Sequence, residues 1–252
     1  MHYFFLEGQA LTGGARIALS EEDINHAYRV LRLKAGDEIA IADGLGRVRR
    51  GRVAQSSPRE VLVSLHDQLT SPESPLKITL FQSLVKGDKM DLIIRQAVEL
   101  GVQRIVPVIT ARSIPQREKE KDLKRLQRWR NIVRSASAQC RRAFLAQVEP
   151  VLEFGSALSR LEGFRTLVPW EEEKAAPLSE ILKQPCPSDR VILFFIGPEG
   201  GFTSVEIEAL RKAGAITVNL GPRIMRSETA AAAVAVMVQA AWGDLSGEGE
   251  CR

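Results

Sequence analysis

The chain has 252 residues, of which 44% are hydrophobic and 26% are charged, so it can build a core and is not expected to be disordered. No apolar run reaches the roughly 18 residues of a membrane-spanning helix, and the start of the chain lacks the basic and apolar regions of a signal peptide. The three widely spaced cysteines fit reduced thiols and have no zinc-ligand spacing, and with only three histidines metal catalysis is not expected. We therefore expect a cytoplasmic protein without a membrane span and without a metal.

Residues 1–72 are predicted to form a small β-rich domain. A short strand spans 2–6, and Ser20, followed by three acidic residues, is predicted to cap a helix. Segments 38–42 and 47–54 flank Asp43-Gly44-Leu45-Gly46, a strong hairpin signal, and 61–65 alternates as a further strand. Several arginines of this region either contact phosphate or simply form the solvated face of the sheet, and both interpretations stay open here: Arg29, Arg32, Arg47, Arg49, Arg50 and Arg52.

A linker with two prolines follows at 70–75, and we place the domain boundary after residue 72. Residues 78–85 are predicted to form a strand, Asp88 to cap a helix that ends at Gly101, and 102–109 to form the next strand. Strand and helix continue to alternate, which predicts an α/β domain with a parallel sheet over 73–245. The last residues, 246–252, are expected to be a disordered tail.

The mild net charge of +4 is unevenly distributed. Residues 112–142 carry 11 basic and three acidic side chains, whereas residues 1–72 are balanced. This segment is predicted to lead into one long helix whose apolar stripe (Leu123, Leu126, Trp129, Ile132 and Val133) packs in the core. The basic excess indicates a polyanionic partner, with a solvated helix face as the alternative.

The strongest signals lie between Val191 and Ala230, where one local pattern occurs twice. Residues 191–196 form an apolar run typical of a buried strand, which a glycine-rich loop and the capping box of Thr203 and Glu206 follow. The helix that begins there has apolar positions at Val205, Ile207 and Leu210 and is expected to end near Gly214. Residues 215–220 again predict a strand, followed by Gly221-Pro222 and an alanine-rich helix from Ser227. We expect the two strands to be adjacent and parallel, with a ligand crevice at their carboxyl ends, and the strand 166–170 to add a third loop there.

The loops exclude several kinds of chemistry. Neither has the lysine of a phosphate-binding P-loop, and neither has the surroundings of a dinucleotide fingerprint. A serine elbow and a catalytic Cys-His pair are also missing. Glycine-rich loops without a lysine suit a ligand that is recognised by backbone groups, such as an adenosine moiety without phosphate.

Four segments together carry a specific family resemblance. GPEGG with the following Phe202-Thr203 and Glu206, LGPRIMRSETA at 220–230, KGDKMDLIIRQAVELGV at 86–102 and HAYRVLR at 26–32 closely resemble segments of the bacterial RsmE family. These proteins are small-subunit ribosomal RNA uracil-N3 methyltransferases of the SPOUT class. The resemblance spans nearly the whole chain and implies an amino-terminal PUA-like β-barrel, a parallel-sheet α/β domain with a trefoil knot, and a homodimer. It also implies S-adenosylmethionine as the cofactor and ribosomal RNA or the small ribosomal subunit as the partner.

By the same resemblance, the cofactor pocket is expected to be lined by Leu167, Val168, Pro169, Trp170, Ile196, Gly197, Pro198, Glu199, Gly200, Gly201, Leu220, Gly221, Ile224, Met225, Arg226, Thr229 and Ala230. Candidate RNA-binding residues are Arg29, Arg32, Lys86, Lys89, Arg112, Lys124, Arg128, Arg141 and Arg142.

Methyl transfer to uracil N3 requires loss of the N3 proton or stabilisation of the uracil anion. We hypothesise that Arg226 stabilises charge on the carbonyl oxygens, and that Glu199 or Glu228 orients the base or accepts the proton. In the alternative, Arg226 ties the loops together, and Glu228 and Ser227 cap the final helix. Two competing functions remain: an enzyme of the same class that acts on another atom or RNA, and a non-catalytic RNA-binding protein of ribosome assembly.

Overall fold

The computed structural model describes residues 1–6, 11–114 and 119–245. The chain divides into two compact units, one formed by Met1–Glu73 with Arg134–Leu145 and the other by Ser74–Val133 with Ala146–Arg252. The single boundary predicted after residue 72 did not anticipate that residues 134–145 would group with the first unit. The predicted tail, 246–252, lies outside the described residues.

The first unit is built on a mixed five-stranded sheet. Its strands are β1 (His2–Phe5), β2 (Arg16–Ala18), β3 (Glu38–Ala42), β4 (Val48–Ser56) and β5 (Val61–Leu69), in the order β1-β3-β4-β5-β2. The predicted hairpin is present, since β3 and β4 pair antiparallel, and β1 pairs with β3 in parallel. β2 has no sequence signal that we identified, and β5 is longer than predicted.

Alternating side chains give this sheet two buried faces. Phe4, Ile39 and Ile41 belong to one apolar cluster with residues of β4, β5 and the helix described next. Their neighbours Phe5, Ala40 and Ala42 belong to a second cluster, which Ala143 joins. The two clusters lie on opposite faces because successive side chains of a strand alternate. Residues 134–145 contribute Ala143 to the second cluster and thus belong to the core of the first unit.

Helix α1 (Glu21–Asn25) begins as predicted, because the Ser20 hydroxyl accepts a hydrogen bond from the Asp23 N–H. It continues into a π-helical turn at His26–Val30. This turn leaves Tyr28 and Val30 exposed, and Arg32 follows in the left-handed region at φ 54°.

The second unit is an α/β structure whose strand pairs are all parallel, as predicted. Its strands are β6 (Lys77–Ser83), β7 (Arg104–Ile109), β8 (Gln147–Val148), β9 (Leu152–Glu153), β10 (Arg165–Pro169), β11 (Val191–Ile196) and β12 (Ile216–Val218). Their order is β12-β10-β11-β6-β7-β8, and β9 also pairs with β7. The expectation that the strands on either side of the GPEGG loop's helix are adjacent is wrong, because β10 lies between β11 and β12.

The helices of the chain after α1 are α2 (Lys89–Glu99), α3 (Lys119–Cys140), α4 (Phe154–Leu158), α5 (Leu178–Ile181), α6 (Ser204–Lys212) and α7 (Ser227–Trp242). α7 packs on α2 and on β11. On the sheet, Phe81, Leu193 and Phe195 form an apolar cluster with Ile207 and Leu210 of α6. Among the described residues no helix is both long and apolar enough to cross a membrane.

Three local expectations need correction. The Asp88 side chain makes no capping hydrogen bond and instead accepts one from Arg128. Leu123 is 70% exposed, although helical spacing predicted burial for it. Ser227 does not cap α7, whose N-cap residue is Arg226.

Candidate functional site

A cavity of about 600 Å³ lies at the carboxyl ends of β10, β11 and β12, a volume within the range of small-molecule sites. Because β10 is the middle strand, its following loop meets the loops after β11 and β12 at one edge of the sheet. The predicted cofactor residues that line this cavity are Pro169, Trp170, Ile196, Gly197, Pro198, Gly201, Leu220, Gly221, Ile224, Met225 and Ala230. Pro222 and Arg223, which lie within the predicted loop 220–226, also line the cavity. Further lining residues that the sequence did not predict are Glu171, Glu173, Lys174, Pro177, Phe202, Asn219 and Ser227.

The remaining predicted cofactor residues lie elsewhere. Leu167 and Val168 are fully buried within β10. The Gly200 Cα faces the Arg112 side chain, and Thr229 does not line the cavity. Glu199 and Arg226 line a second cavity that adjoins the first.

Two kinds of contact fix the loop after β11: packing of Phe202 near Gly197 and the hydrogen bonds of a capping box. Phe202 packs its ring edge-on against Phe195 and lies close to the Gly197 Cα. The predicted capping box is present: Thr203 Oγ1 accepts from the Glu206 N–H at 3.2 Å, and Glu206 accepts from the Thr203 N–H at 2.8 Å. The loop therefore enters α6 through a fixed turn.

Glu206 also connects this loop to the loop after β7. Its side chain is buried, and its Oε1 accepts a 2.8 Å hydrogen bond from the Ala111 N–H. The next residue, Arg112, donates to the Gly200 carbonyl at 2.7 Å. The sequence predicted Arg112 as an RNA contact; the structure places its guanidinium on the glycine-rich loop.

A buried polar network fixes the start of α7, and sequence analysis did not find it. Ser227 donates from Oγ to the Gly197 carbonyl at 2.7 Å and accepts from Gln82 Nε2 at 3.0 Å. Gln82, at the end of β6, is fully buried and also donates to the Ser83 carbonyl. The ends of β6 and β11 and the first turn of α7 are thus joined behind the cavity.

The wall after β10 carries a second polar cluster. Glu173 accepts hydrogen bonds from Thr217 Oγ1 at 2.6 Å and from Arg211 at 2.9 Å, and Arg211 lies over the Trp170 ring. The hydrogen bonds from Thr217 and from the Ala175 N–H, together with Arg211, lower the pKa of Glu173 more than burial raises it. Glu173 therefore holds this wall as a carboxylate.

The second cavity, of about 310 Å³, shares part of its wall with the first: Glu171, Pro198, Gly201, Ile224, Met225 and Ser227 line both. Its remaining lining residues are Lys89, Glu199 and Arg226. The ammonium of Lys89 lies 3.0 Å from Glu199 Oε1 and 3.9 Å from Glu228 Oε2. All three proposed catalytic side chains thus belong to one cluster, together with a lysine that the sequence had suggested as an RNA contact.

The two glutamates of this cluster differ. Partial burial raises the pKa of Glu199, but hydrogen bonds from its own N–H, from Lys89 and from the Lys86 N–H, with the charge of Lys89, lower it to below the ordinary value. Glu228 Oε2 is buried and has no hydrogen bond. Glu199 is therefore held ionised, and it is the glutamate that lies nearer to Lys89.

The other basic candidates fall into three groups. Arg142 is 4% exposed and pairs with Glu73 at 2.8 Å, so its prediction as an RNA contact is replaced by a structural role. Arg128 is exposed and pairs with Asp88 and Asp91. Side chains exposed to solvent are those of Arg29, Arg32, Lys86, Lys124 and Arg141.

Arg29 and Arg32 line a cavity of about 610 Å³ in the first unit, next to Tyr28 and Lys34. Of the hairpin arginines, Arg49 donates to the carbonyls of Leu11 and His66, and Arg50 and Arg52 lie near Glu38. These hairpin arginines therefore support the sheet, whereas Arg29 and Arg32 are available to a ligand. Within the described ranges no group of three His, Cys, Asp or Glu side chains is arranged to hold a metal.

The parallel α/β fold and its cavity of three loops, together with two matching family models, define an RNA methyltransferase with a PUA domain. Residues 72–239 match the family model of the RNA methyltransferase domain, and residues 19–65 match that of the RNA methyltransferase PUA domain. The chain belongs to the ribosomal RNA small subunit methyltransferase E family, which confirms the resemblance seen in the sequence. The alternative of a non-catalytic assembly protein is thereby rejected.

Three relatives support this assignment. The ribosomal RNA small subunit methyltransferase E of Bacillus subtilis is 30% identical over 91% of this chain and 93% of its own. The crystal structure of the Neisseria gonorrhoeae ribosomal RNA small subunit methyltransferase E bound to S-adenosyl methionine is 34% identical, with a TM-score of 0.89 over 97% of this chain and 99% of that one. A putative methyltransferase from Legionella pneumophila, in complex with the same cofactor, is 29% identical, with a TM-score of 0.81 over 96% and 98% of the two chains.

Proposed function

We propose that this protein transfers the methyl group of S-adenosylmethionine to N3 of a uridine in 16S ribosomal RNA. The observation that carries the proposal is the 600 Å³ cavity of the three loops, in a chain that matches a cofactor-bound relative over nearly its whole length. Its lining of glycine backbone and apolar side chains suits adenosine, and it has no lysine at the positions of a phosphate-binding loop.

The chain's own residues have distinct parts in this reaction. The loops after β10, β11 and β12 hold the cofactor, whose sulfonium supplies an activated methyl group. The Arg226 guanidinium, which has no hydrogen bond or ion pair to a described residue, stabilises the negative charge that develops on the uracil carbonyl oxygens. Glu199 orients the base through its ionised carboxylate. Positioning and electrostatics supply most of the rate enhancement, because the donor is already reactive.

RNA binding is proposed to use the exposed basic side chains of both units. Arg29, Arg32, Lys124 and Arg141 carry the assignment, because each is exposed and makes no ion pair with a described residue. Phosphate contacts position the RNA without reading its sequence, so affinity should fall steeply with salt. A flat dependence of log K on log salt concentration would contradict this part of the proposal.

We also infer a homodimer, a trefoil knot in the second unit, and action in the cytoplasm, where unmodified ribosomal RNA is found. These inferences rest on membership of the family. Light scattering on the purified protein measures the first directly, and a monomeric mass at micromolar concentration would contradict it.

The central experiment is product mapping. Small ribosomal subunits that lack the modification are incubated with the protein and labelled S-adenosylmethionine, and the modified nucleoside is identified by mass spectrometry. We expect N3-methyluridine at one position. A methylated ribose or guanine would assign the enzyme to another reaction of its class.

The catalytic role of Arg226 is tested with the variant Arg226→Ala. The control is Arg95→Ala, which removes an arginine from the exposed face of α2. We expect Arg226→Ala to lose roughly 100-fold or more in rate, as when one stabilising donor is removed from an oxyanion site, while cofactor affinity stays within a few-fold. Full activity of Arg226→Ala would refute the catalytic role.

A further inference from the structure

The second cavity has room for a ring of the size of a pyrimidine. A cavity of about 150 Å³ accommodates benzene, and this one has about 310 Å³. Pro198, Ile224 and Met225 supply apolar surface against which a flat ring can pack, and Ile224 is 86% exposed. Since the same three residues line the cofactor cavity, a ring bound here lies against the wall that bounds the cofactor site.

The polar side chains that line this cavity supply both donors and acceptors. Lys89 and Arg226 are obligate donors, whereas Glu199 and Glu171 offer carboxyl oxygens as acceptors. The Ser227 hydroxyl is already engaged by Gly197 and Gln82, and of the two glutamates Glu199 is the one that contacts Lys89. Lys89 has three N–H groups; one is directed to Glu199 at 3.0 Å, and Glu228 lies further away at 3.9 Å. At least one donor of Lys89 therefore remains for a ligand.

The Glu199 carboxylate likewise retains acceptor capacity. Its hydrogen bonds from Lys89 Nζ and from the Lys86 N–H both end on Oε1, and its own N–H donates a third hydrogen bond to the carboxylate. A carboxylate has about four lone-pair sites on two oxygens, so these three donors leave capacity for a ligand. The Lys89 contact thus fixes the orientation of the Glu199 carboxylate and leaves it able to accept a further hydrogen bond.

This arrangement matches one pyrimidine edge and opposes the other. Uracil presents a carbonyl oxygen, the N3–H donor and a second carbonyl oxygen, which is the complement of donor, acceptor, donor. Cytosine has an unprotonated N3 and an amino group. Its N3 lone pair would therefore face the Glu199 carboxylate, and its amino N–H groups would face a cation that is itself a donor. A bound cytosine would cover these groups and leave them without hydrogen-bond partners, so the site should disfavour it.

We propose that the second cavity holds the target base, with Lys89 and Arg226 donating to the two uracil carbonyl oxygens and Glu199 accepting from N3–H, which makes Lys89 a specificity-determining residue. This inference rests on the proposed function and adds the base subsite to it. In the reaction the N3–H bond breaks and its proton passes to the Glu199 carboxylate. The N3 electron pair forms the bond to the methyl carbon, and the electrons of the carbon–sulfur bond return to sulfur, which loses its positive charge.

The test uses Lys89→Met, with Lys212→Met at the exposed end of α6 as a control that removes the same charge. The substrate is the small subunit with the mapped uridine unmodified, or with 2-thiouridine or 4-thiouridine at that position. Sulfur accepts hydrogen bonds more weakly than oxygen, so the wild-type enzyme should react more slowly with each analogue. Calorimetry with S-adenosylmethionine is run on every variant.

We expect Lys89→Met to bind S-adenosylmethionine within a few-fold of the wild type and to transfer the methyl group roughly 100-fold more slowly in a single turnover. The decisive result is non-additivity. One of the two thio analogues should slow the wild type but not slow Lys89→Met any further, because the variant has already lost that hydrogen bond. Lys212→Met should match the wild type throughout.

Wild-type rates in Lys89→Met, or equal penalties from both analogues in the variant and the wild type, would overturn the proposal. Lys89→Gln, which keeps a neutral donor, is the second variant should the first fail to fold, and its expected rate is intermediate. Failure of the wild type to methylate uridine N3 would refute the proposed function instead. An active wild type with an unaffected Lys89 variant refutes only the base subsite.

Discussion

Ser227 donates a 2.7 Å hydrogen bond from its hydroxyl to the carbonyl of Gly197, and this contact joins the first turn of α7 to the loop after β11. The two residues are 30 positions apart, and both line the cofactor cavity. Gln82 holds the same hydroxyl from the end of β6. The shape of the glycine-rich loop is therefore set in part by a side chain outside that loop.

Ser227→Ala should weaken both folding and cofactor binding. The Gly197 carbonyl loses its donor and Gln82 loses one acceptor, and a buried polar group left without a partner costs about 1–3 kcal/mol. Urea unfolding measures the loss of stability, and calorimetry measures the affinity for S-adenosylmethionine. Ser204→Ala, at the exposed start of α6, is the control and should change neither. Unchanged affinity in Ser227→Ala would show that the loop keeps its shape without this bond.

Gly201 is required for two separable reasons. Its φ of 68° lies in the left-handed region, and a Cβ there would overlap the Glu171 carboxylate. Glu171 is an exposed, flexible side chain that lines both cavities, so Gly201→Ala should displace it and bind S-adenosylmethionine a few-fold more weakly than the wild type. Gly163→Ala is the matched control, because Gly163 has a φ of 82° but open space around its Cα.

Both alanine variants should lose about 1–2 kcal/mol of stability from the left-handed backbone. Only Gly201→Ala should also lose cofactor affinity. Equal affinities in the two variants would mean that Glu171 moves aside at no cost to the site.

Local signals in the sequence predicted local structure well. The apolar run of β11 and the capping box of Thr203 and Glu206 depend on neighbouring residues, and both are present. The position of β10 between β11 and β12 depends on pairing between distant segments, which no local pattern encodes. Gln82 could not be found for the same reason, since its partner Ser227 is 145 residues away.

Periodicity also misassigned some side chains. It predicted burial of Leu123, which is exposed, because it reports the face of a helix but not whether another element covers that face. For Arg142 the error was the reverse. A basic residue in a basic segment suggests solvent or RNA, but Arg142 is buried against Glu73, a carboxylate 69 residues earlier.

Glu173 should make the stability of the protein depend on pH in the acid range. Its pKa is lowered in the folded state, so it contributes stability above its unfolded-state pKa of about 4.3, and the contribution is lost as the pH falls through the lower folded-state value. The free energy of unfolding of the wild type should therefore exceed that of Glu173→Gln near neutral pH. This difference should disappear as the pH falls through the folded-state pKa of Glu173. Thermal unfolding at a series of pH values between neutral and acid measures the difference.

The control for this prediction is Glu172→Gln, because Glu172 is exposed and next in the chain. It should follow the wild type at all pH values. A constant difference between the wild type and Glu173→Gln over the whole range would show that the hydrogen bonds of Glu173, and not its charge, support the wall of the cavity.

Arg141 and Arg142 are neighbours that the sequence predicted as RNA contacts alike, but Arg141 is exposed and Arg142 is buried. Arg142→Met removes the cationic partner of Glu73. Among the described residues, the N–H groups of Ala143 and Phe144 still donate to this carboxylate, and we expect a loss of roughly 3 kcal/mol in urea unfolding. Arg141 is exposed, so Arg141→Ala should change stability by no more than about 0.5 kcal/mol.

The same two variants separate folding from RNA binding. Arg141→Ala should weaken binding to the small subunit and reduce the slope of log K against log salt concentration by about 1, the value for one lost phosphate contact. Arg142→Met, measured where it is fully folded, should keep the wild-type slope. A reduced slope in Arg142→Met would mean that Arg142 leaves Glu73 to contact RNA, and an unchanged slope in Arg141→Ala would remove Arg141 from the binding surface.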